Sequence, residues 1–164
     1  MDWQPWLVFA HILGAFTFVL AHGVSMFVAF RVRRERDQAI VAALLDLSKL
    51  ALTIAAFAVI FLLATGIAAG FVGDYWGRRW IWASLGILIL LWAYMSFRGT
   101  RHHDDVRRAV GTVGVYDKKG TEPPPADPAA AAALLASSGR AVELATVGGI
   151  GLIAILYLMV LKPF

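Results

Sequence analysis

Four stretches of nearly unbroken apolar residues, each stopped by charge at one or both ends, organise this chain of 164 residues. They fall at about 6–30, 50–73, 80–97 and 141–161. A hydrocarbon core of about 30 Å needs roughly 20 apolar residues in a helix, so each run is long enough to cross a bilayer. The first runs uncharged from Trp6 to Phe30 and ends at Arg31, Arg33, Arg34 and Arg36; the second follows Lys49. The third lies between Arg79 and Arg98, and the fourth between Arg140 and Lys162. The pattern predicts an all-α, integral membrane four-helix bundle forming a single domain over 1–164.

The intervening segments divide by period. Residues 35–48 carry Ala39, Ile40, Ala43, Leu44 and Leu47 at helical spacing, which predicts an extension of the second helix beyond the membrane. Residues 99–139 pass through Gly111, Gly114 and Gly120 and reach Pro123, Pro124, Pro125 and Pro128, and read mostly as a flexible cytoplasmic loop. Within it, the run from Ala129 to Ala136 has the propensity for a short interfacial helix before Gly139.

Composition agrees with this reading. With 60% apolar residues and a mean hydropathy of +0.71, too little polar surface remains to clothe a water-soluble globule. The net charge of +4 does not point to nucleic acid, because the basic residues flank the apolar runs. Segments 31–49 and 98–140 hold twelve Lys and Arg, Lys118 and Lys119 among them, against three (Arg78, Arg79 and Lys162) on the opposite side. Positive residues stay in the cytoplasm, so both termini are expected outside, in a multi-pass protein of a bacterial inner membrane. Trp3, Trp6, Tyr75, Trp76, Trp80 and Trp82 gather at the same outer boundary, where amphipathic rings settle. The first run lacks a preceding basic region, which favours a retained span over a cleaved signal peptide.

Absence of cysteine excludes disulfides, zinc ribbons and iron–sulfur clusters. The candidate chemistry is histidine. His11 and His22 lie inside the first span, where an ionisable group is expensive enough to suggest function. At about 100° per residue they share a face with Gly14, Ala15, Phe18, Ser25 and Met26. At 1.5 Å rise they stand about 16–17 Å apart, too far to hold one metal or one haem between them. A six-coordinate haem therefore needs a second donor from elsewhere, such as Met159 near the outer end or Met95 near the inner end, or a histidine of another protomer, whereas a five-coordinate haem needs only one histidine. Three readings stand: haem b or copper binding at His11 or His22; a proton or ion relay; and hydrogen bonds that fix helix packing, with no cofactor. Trp92, Phe16, Phe18, Phe57 and Phe61 are candidates to wall a macrocycle, or simply core. His102, His103, Asp104 and Asp105 form either a small metal clip or a solvated stretch.

Small residues give helices in lipid their close approach. Gly66 and Gly70 form a G-x-x-x-G step, Gly14 and Gly23 lie in the first span, and Gly148, Gly149 and Gly151 lie in the fourth. They serve either packing within the bundle or a homodimer or larger membrane complex. Thr53, Thr65, Ser84, Ser96 and Thr146 can bond to their own helices, and Asp46 and Glu143 are expected beside Lys49 and Arg140.

The opening helix, with Trp6, Phe9-Ala10-His11-Ile12-Leu13-Gly14 and then Phe27 to Arg33, resembles that of small bacterial membrane proteins of the domain-of-unknown-function family DUF2269. It is also similar, more loosely, to the openings of the copper-resistance CopD and HemJ-type protoporphyrinogen oxidase families. The glycine-ended second helix and the aromatic turn from Asp74 to Trp82 fit the same layout, and residues 5–100 take part. The resemblance implies a four-helix bundle in which His11 is the position to compare with haem or copper ligands. Ser84 stands where HemJ-type proteins carry a lysine, so the resemblance does not extend to their oxidase chemistry.

Overall fold

In the computed structural model, which describes residues 2–115, 117–118, 120–136 and 139–164, the chain is helical throughout its regular parts. Lys119, counted above among the basic residues, lies outside the described residues. The helices are α1 (Gln4–Val32), α2 (Gln38–Val72), α3 (Arg79–Ala109), α4 (Pro128–Ala136) and α5 (Arg140–Leu161). Four of them, α1, α2, α3 and α5, are long and apolar enough to cross a membrane.

Local chemistry sets the boundaries. Pro5 stands in the first turn of α1, where a missing N–H does no harm. Asp37 caps α2, its Oδ1 accepting from the amides of Ala39 (2.8 Å) and Ile40 (3.4 Å). Asp127 does the same for α4 through Ala129 and Ala130, both at 3.0 Å. Helix α5 stops where Lys162 turns left-handed (φ 47°) and donates its amide to the Leu158 carbonyl. At about 52 Å for 35 residues, α2 is longer than a bilayer core is thick. Helix α2 begins at Gln38, so the helical periodicity of 35–48 is continuous with the second apolar run.

Helices α1 and α2 pack as one antiparallel pair and α3 and α5 as another, and the pairs touch where α1 meets α5. Most buried positions along the spans are small: Gly14, Ala21 and Ser25 on α1, Ala51, Ala55, Ala58, Ala69 and Gly70 on α2, Ser84 on α3, Gly148 and Gly151 on α5, with Trp80 and Leu158 the large exceptions near the end that bears the termini. The large side chains, among them Leu20, Phe27, Phe57 and Phe71, point outward. That inversion suits lipid, where burying leucine against leucine gains nothing over burying it against acyl chains and helices bind through close backbone contact.

At the end bearing Arg31 to Arg36, hereafter the basic end, packing follows the opposite rule. Val28 and Val32 of α1, Val41 and Leu45 of α2, Val106, Ala109 and Val110 from α3 onward, and Ala131 and Leu135 of α4 form one buried cluster. This is a core of the water-soluble kind, worth about 25 cal/mol per Å² of apolar surface removed from water.

The region read as a flexible loop is thus largely folded. After Tyr94, α3 loosens into one π-helical stretch, Met95–Thr100, and continues as α-helix to Ala109. Beyond it, the backbone of 111–127 is pinned to α3 by Thr112 N–H to the Arg107 carbonyl (2.9 Å) and Asp127 N–H to the Ala109 carbonyl (2.8 Å). The proline and glycine content of 110–127 reports turns, and the apolar surface of Val106, Val110 and Leu135 that holds those turns in place is too sparse to show as a periodic run.

Candidate functional site

His11 lies at the seam of α1 and α2. Its Nδ1 is 2.9 Å from the carbonyl oxygen of Leu62, which can only accept, so Nδ1 carries a proton, and in the neutral imidazole Nε2 is then the acceptor. The ring lies flat against Gly66: a Cβ placed there would stand 2.8 Å from His11 Cε1. Glycine at 66 is what lets an imidazole enter this seam. One turn deeper, Gly14 admits Leu62 and Phe61 in the same way, and below that the buried hydroxyls of Ser25 and Ser48 meet at 2.7 Å.

His22 turns elsewhere. It stacks on Phe18 one turn away, centroids 5.6 Å apart and planes 13° from parallel. A Cβ built on Gly148 of α5 would stand 3.6 Å from His22 Nε2 and 2.9 Å from the Met95 methyl. Imidazole and thioether therefore converge on one glycine where α1, α3 and α5 meet, at the first residue of the π-helical stretch. The face that His11 and His22 share by helical periodicity is divided between two partners: His11, Gly14 and Ser25 serve α2, whereas His22 and Phe18 serve the α3–α5 pair. Met95 is the only methionine of the two named from sequence that the structure brings to a histidine's neighbourhood among the contacts described.

Phe16, Phe57, Phe61 and Trp92 do not wall a macrocycle; they are 46–70% exposed and face outward. His102 and His103 stand on the helical continuation of α3, where His103 donates Nδ1–H to the Gly99 carbonyl at 2.9 Å. With Ala29, Val32 and Arg33 they line a small cavity at the basic end. Asp104 turns to accept from the Val115 amide at 2.8 Å, while the rings of His102 and His103 stay edge-to-face with centroids 6.0 Å apart. Among the described residues, no group of three or more His, Asp or Glu is placed to hold a metal ion.

Charge is concentrated at the basic end, in three sets of contacts that sequence spacing does not reveal. Glu143 of α5 receives the Tyr94 hydroxyl and the Arg98 guanidinium (2.9 Å), with Arg140 at 3.8 Å, tying α5 to α3. Arg107, its side chain 4% exposed, donates to the Val113 carbonyl and to Asp46, both at 2.7 Å. Asp46 is thus paired with Arg107 and not with Lys49. Asp117 accepts from Arg108 (2.8 Å) and from the Gly114 amide (2.7 Å), and both interactions, the arginine's first, hold its carboxyl below the usual carboxylate range.

At the opposite end, which bears both termini, Tyr75, Trp76, Trp80 and Trp82 cluster as the aromatic boundary predicts. Trp76 lies against Trp82 and Phe71, and Tyr75 against Trp80, with Lys162 Nζ 5.4 Å from the centroids of Tyr75 and Trp80. Gln4, which nothing in the pattern singles out, has its amide enclosed here. Compared with family models, curated proteins and solved structures, the chain matches none.

Proposed function

We propose that this chain is a multi-pass accessory protein of a bacterial inner membrane, with both termini outside and the folded cap of 99–139 in the cytoplasm, and that its membrane histidines serve helix association. The observation that carries this reading is the His11 contact: Nδ1–H donated to Leu62 across the seam, with the ring seated on Gly66. Such a bond satisfies a polar group that hydrocarbon would otherwise leave bare, and is worth about 0.6 to 2 kcal/mol in a bilayer. The four charge-bounded spans and their small-residue seams support the same conclusion, since among the described residues the spans carry no buried acidic or basic chain leading across the membrane.

A second reading attaches to His22. His22 Nε2 and the Met95 methyl both approach Gly148, and an imidazole with a thioether is a donor pair suited to a single soft ion such as monovalent copper.

One preparation tests both. Protein purified in detergent from cells fully supplied with haem is expected to be colourless, oxidised or reduced. His11→Ala is expected to lower the midpoint of thermal unfolding. A Soret band that disappears in His11→Ala or His22→Ala would overturn the accessory reading, and stoichiometric copper lost in His22→Ala would establish the second. Orientation is read with single cysteines at Gly120 or Phe164, labelled from each side of the membrane.

A further inference from the structure

Helix α2 turns a row of glycines, Gly66, Gly70 and Gly73, toward side chains that reach it from α1 and from the turn after α2. Built Cβ atoms at these positions would lie 2.8 Å from His11 Cε1, 3.0 Å from the Trp76 ring and 2.7 Å from Gln4 Nε2, the last beside the Tyr75 ring. Gln4 and His11 are seven residues apart on α1, two turns or about 10 Å, and so are Gly66 of α2 and Gly73, the residue that caps its C-terminus. The result is a strip of polar groups entering the α1–α2 seam from the end that bears the termini.

Most of those groups lack partners. Gln4 Nε2, Gln4 Oε1 and Trp76 Nε1 are enclosed and make no hydrogen bond, and His11 Nε2 is left an acceptor by the bond at Nδ1. Each enclosed group without a partner costs about 1–3 kcal/mol, and three within one small region are hard to reconcile with a seam that exists for packing alone. The set has a definite chemistry. It offers two neutral N–H donors and two neutral acceptors, in aromatic surroundings from Phe71, Tyr75 and Trp76, at the depth where a membrane core gives way to head groups. A charged ligand finds no counter-charge in these four atoms; a flat neutral ring bearing carbonyl or hydroxyl oxygens finds a partner for each.

We propose that this strip binds the head group of an isoprenoid quinone, with carbonyl oxygens accepting from Gln4 and Trp76, hydroxyls of the quinol form donating to Gln4 Oε1 and His11 Nε2, and the apolar tail left in lipid. Trp76 and Tyr75 belong to the turn 73–78, which opens with Gly73 and with Asp74 in the left-handed region (φ 52°) and includes Gly77. That turn is the element able to yield when a ring enters. The proposal is independent of the accessory reading: a colourless preparation leaves it untouched.

The test is titration of the full chain, in lipid-free detergent, with a short-tailed benzoquinone, followed by calorimetry and tryptophan quenching. Saturable one-to-one binding is expected, weakened about tenfold or more by Trp76→Phe and by Gln4→Leu, each of which removes hydrogen bonds while keeping bulk. Ser25→Ala, in the same seam at the far end, should leave binding unchanged. Absence of saturable binding overturns the proposal, as does binding that both site variants leave intact. A rise in thermal midpoint for Gln4→Leu with no effect of quinone would mean that only water fills the strip, which also overturns it. Loss of binding on adding phosphatidylcholine alone would assign the strip to lipid ester carbonyls and overturn it likewise. Should Gln4→Leu fail to fold, Trp76→Phe decides.

Discussion

Arg107 and Asp46, sixty-one residues apart in sequence, meet at 2.7 Å, and the bond ties the continuation of α3 to the basic-end base of α2. The two ends of the pair differ in exposure, 4% for the arginine side chain against 65% for the aspartate. Their removal is therefore not equivalent. Losing Asp46 leaves a guanidinium enclosed with Nη1 already unpartnered, whereas losing Arg107 leaves a carboxylate in water. For Asp46→Asn a loss of about 1–2 kcal/mol is expected, less than for a fully buried pair because water partly screens it. Proteolysis within 111–127 should speed up correspondingly while the spans stay helical by circular dichroism.

The Ser25–Ser48 bond is the other long-range polar link of the α1–α2 pair and lies where neither hydroxyl meets solvent. Either serine alone can turn back to its own helix. Ser25→Ala and Ser48→Ala should then each cost little, and a double-mutant cycle should give a coupling near the membrane average of about 0.6 kcal/mol. Unfolding in mixed micelles measures it; a coupling indistinguishable from zero would mean that close packing alone fixes this register.

Much of this architecture can be read from the pattern of residues, and the exceptions share a cause. Spans, caps and the extension of α2 are local properties: Asp37 followed by apolar spacing announces a helix start wherever it stands. The retained π stretch, the continuation of α3 through His102 and His103, and the pairing of Arg107 with Asp46 depend on what lies opposite, which no local pattern encodes. His11 and His22 illustrate the same limit within the candidate site. Periodicity puts them on one face of one helix, yet which neighbour each meets is decided by glycines at 66 and 148, on two other helices. Gln4 carried no signal at all, because a single glutamine near a helix start is ordinary until its amide is found enclosed.

Glycine substitutions should separate rigid from forgiving contacts. At Gly66 a new methyl meets the His11 ring, which is held by its bond to Leu62; at Gly70 it meets the indole of Trp76. At Gly148 it meets the free methyl of Met95, which can rotate away, whereas at Gly151 it meets the branched end of Leu91 down to Cγ. Gly66→Ala is expected to cost about 1–3 kcal/mol, the range for overpacking. Gly148→Ala should be near neutral and may be compared with it in the same thermal melt. Equal losses at both positions would mean that backbone approach, not the seated side chain, sets the requirement for glycine.

Acid should open the turn at 112–117 before it affects the spans. Asp117 is held below the usual carboxylate range by Arg108 first and by the Gly114 amide second. A group whose folded value is depressed contributes stability that is fully present above its unfolded value, and that contribution disappears as pH falls through the folded value. The reference carboxyl here is 3.8, so the contribution is whole at neutral pH and is lost progressively below about pH 4. Hydrogen exchange at Gly114 and Thr112, followed from pH 6 to pH 3 and corrected for intrinsic rates, should show protection falling in that window. In Asp117→Asn the protection should be low already at pH 6 and flat below it; an unchanged acid transition in that variant would assign the step to another carboxylate, Asp104 being the neighbour that accepts from Val115.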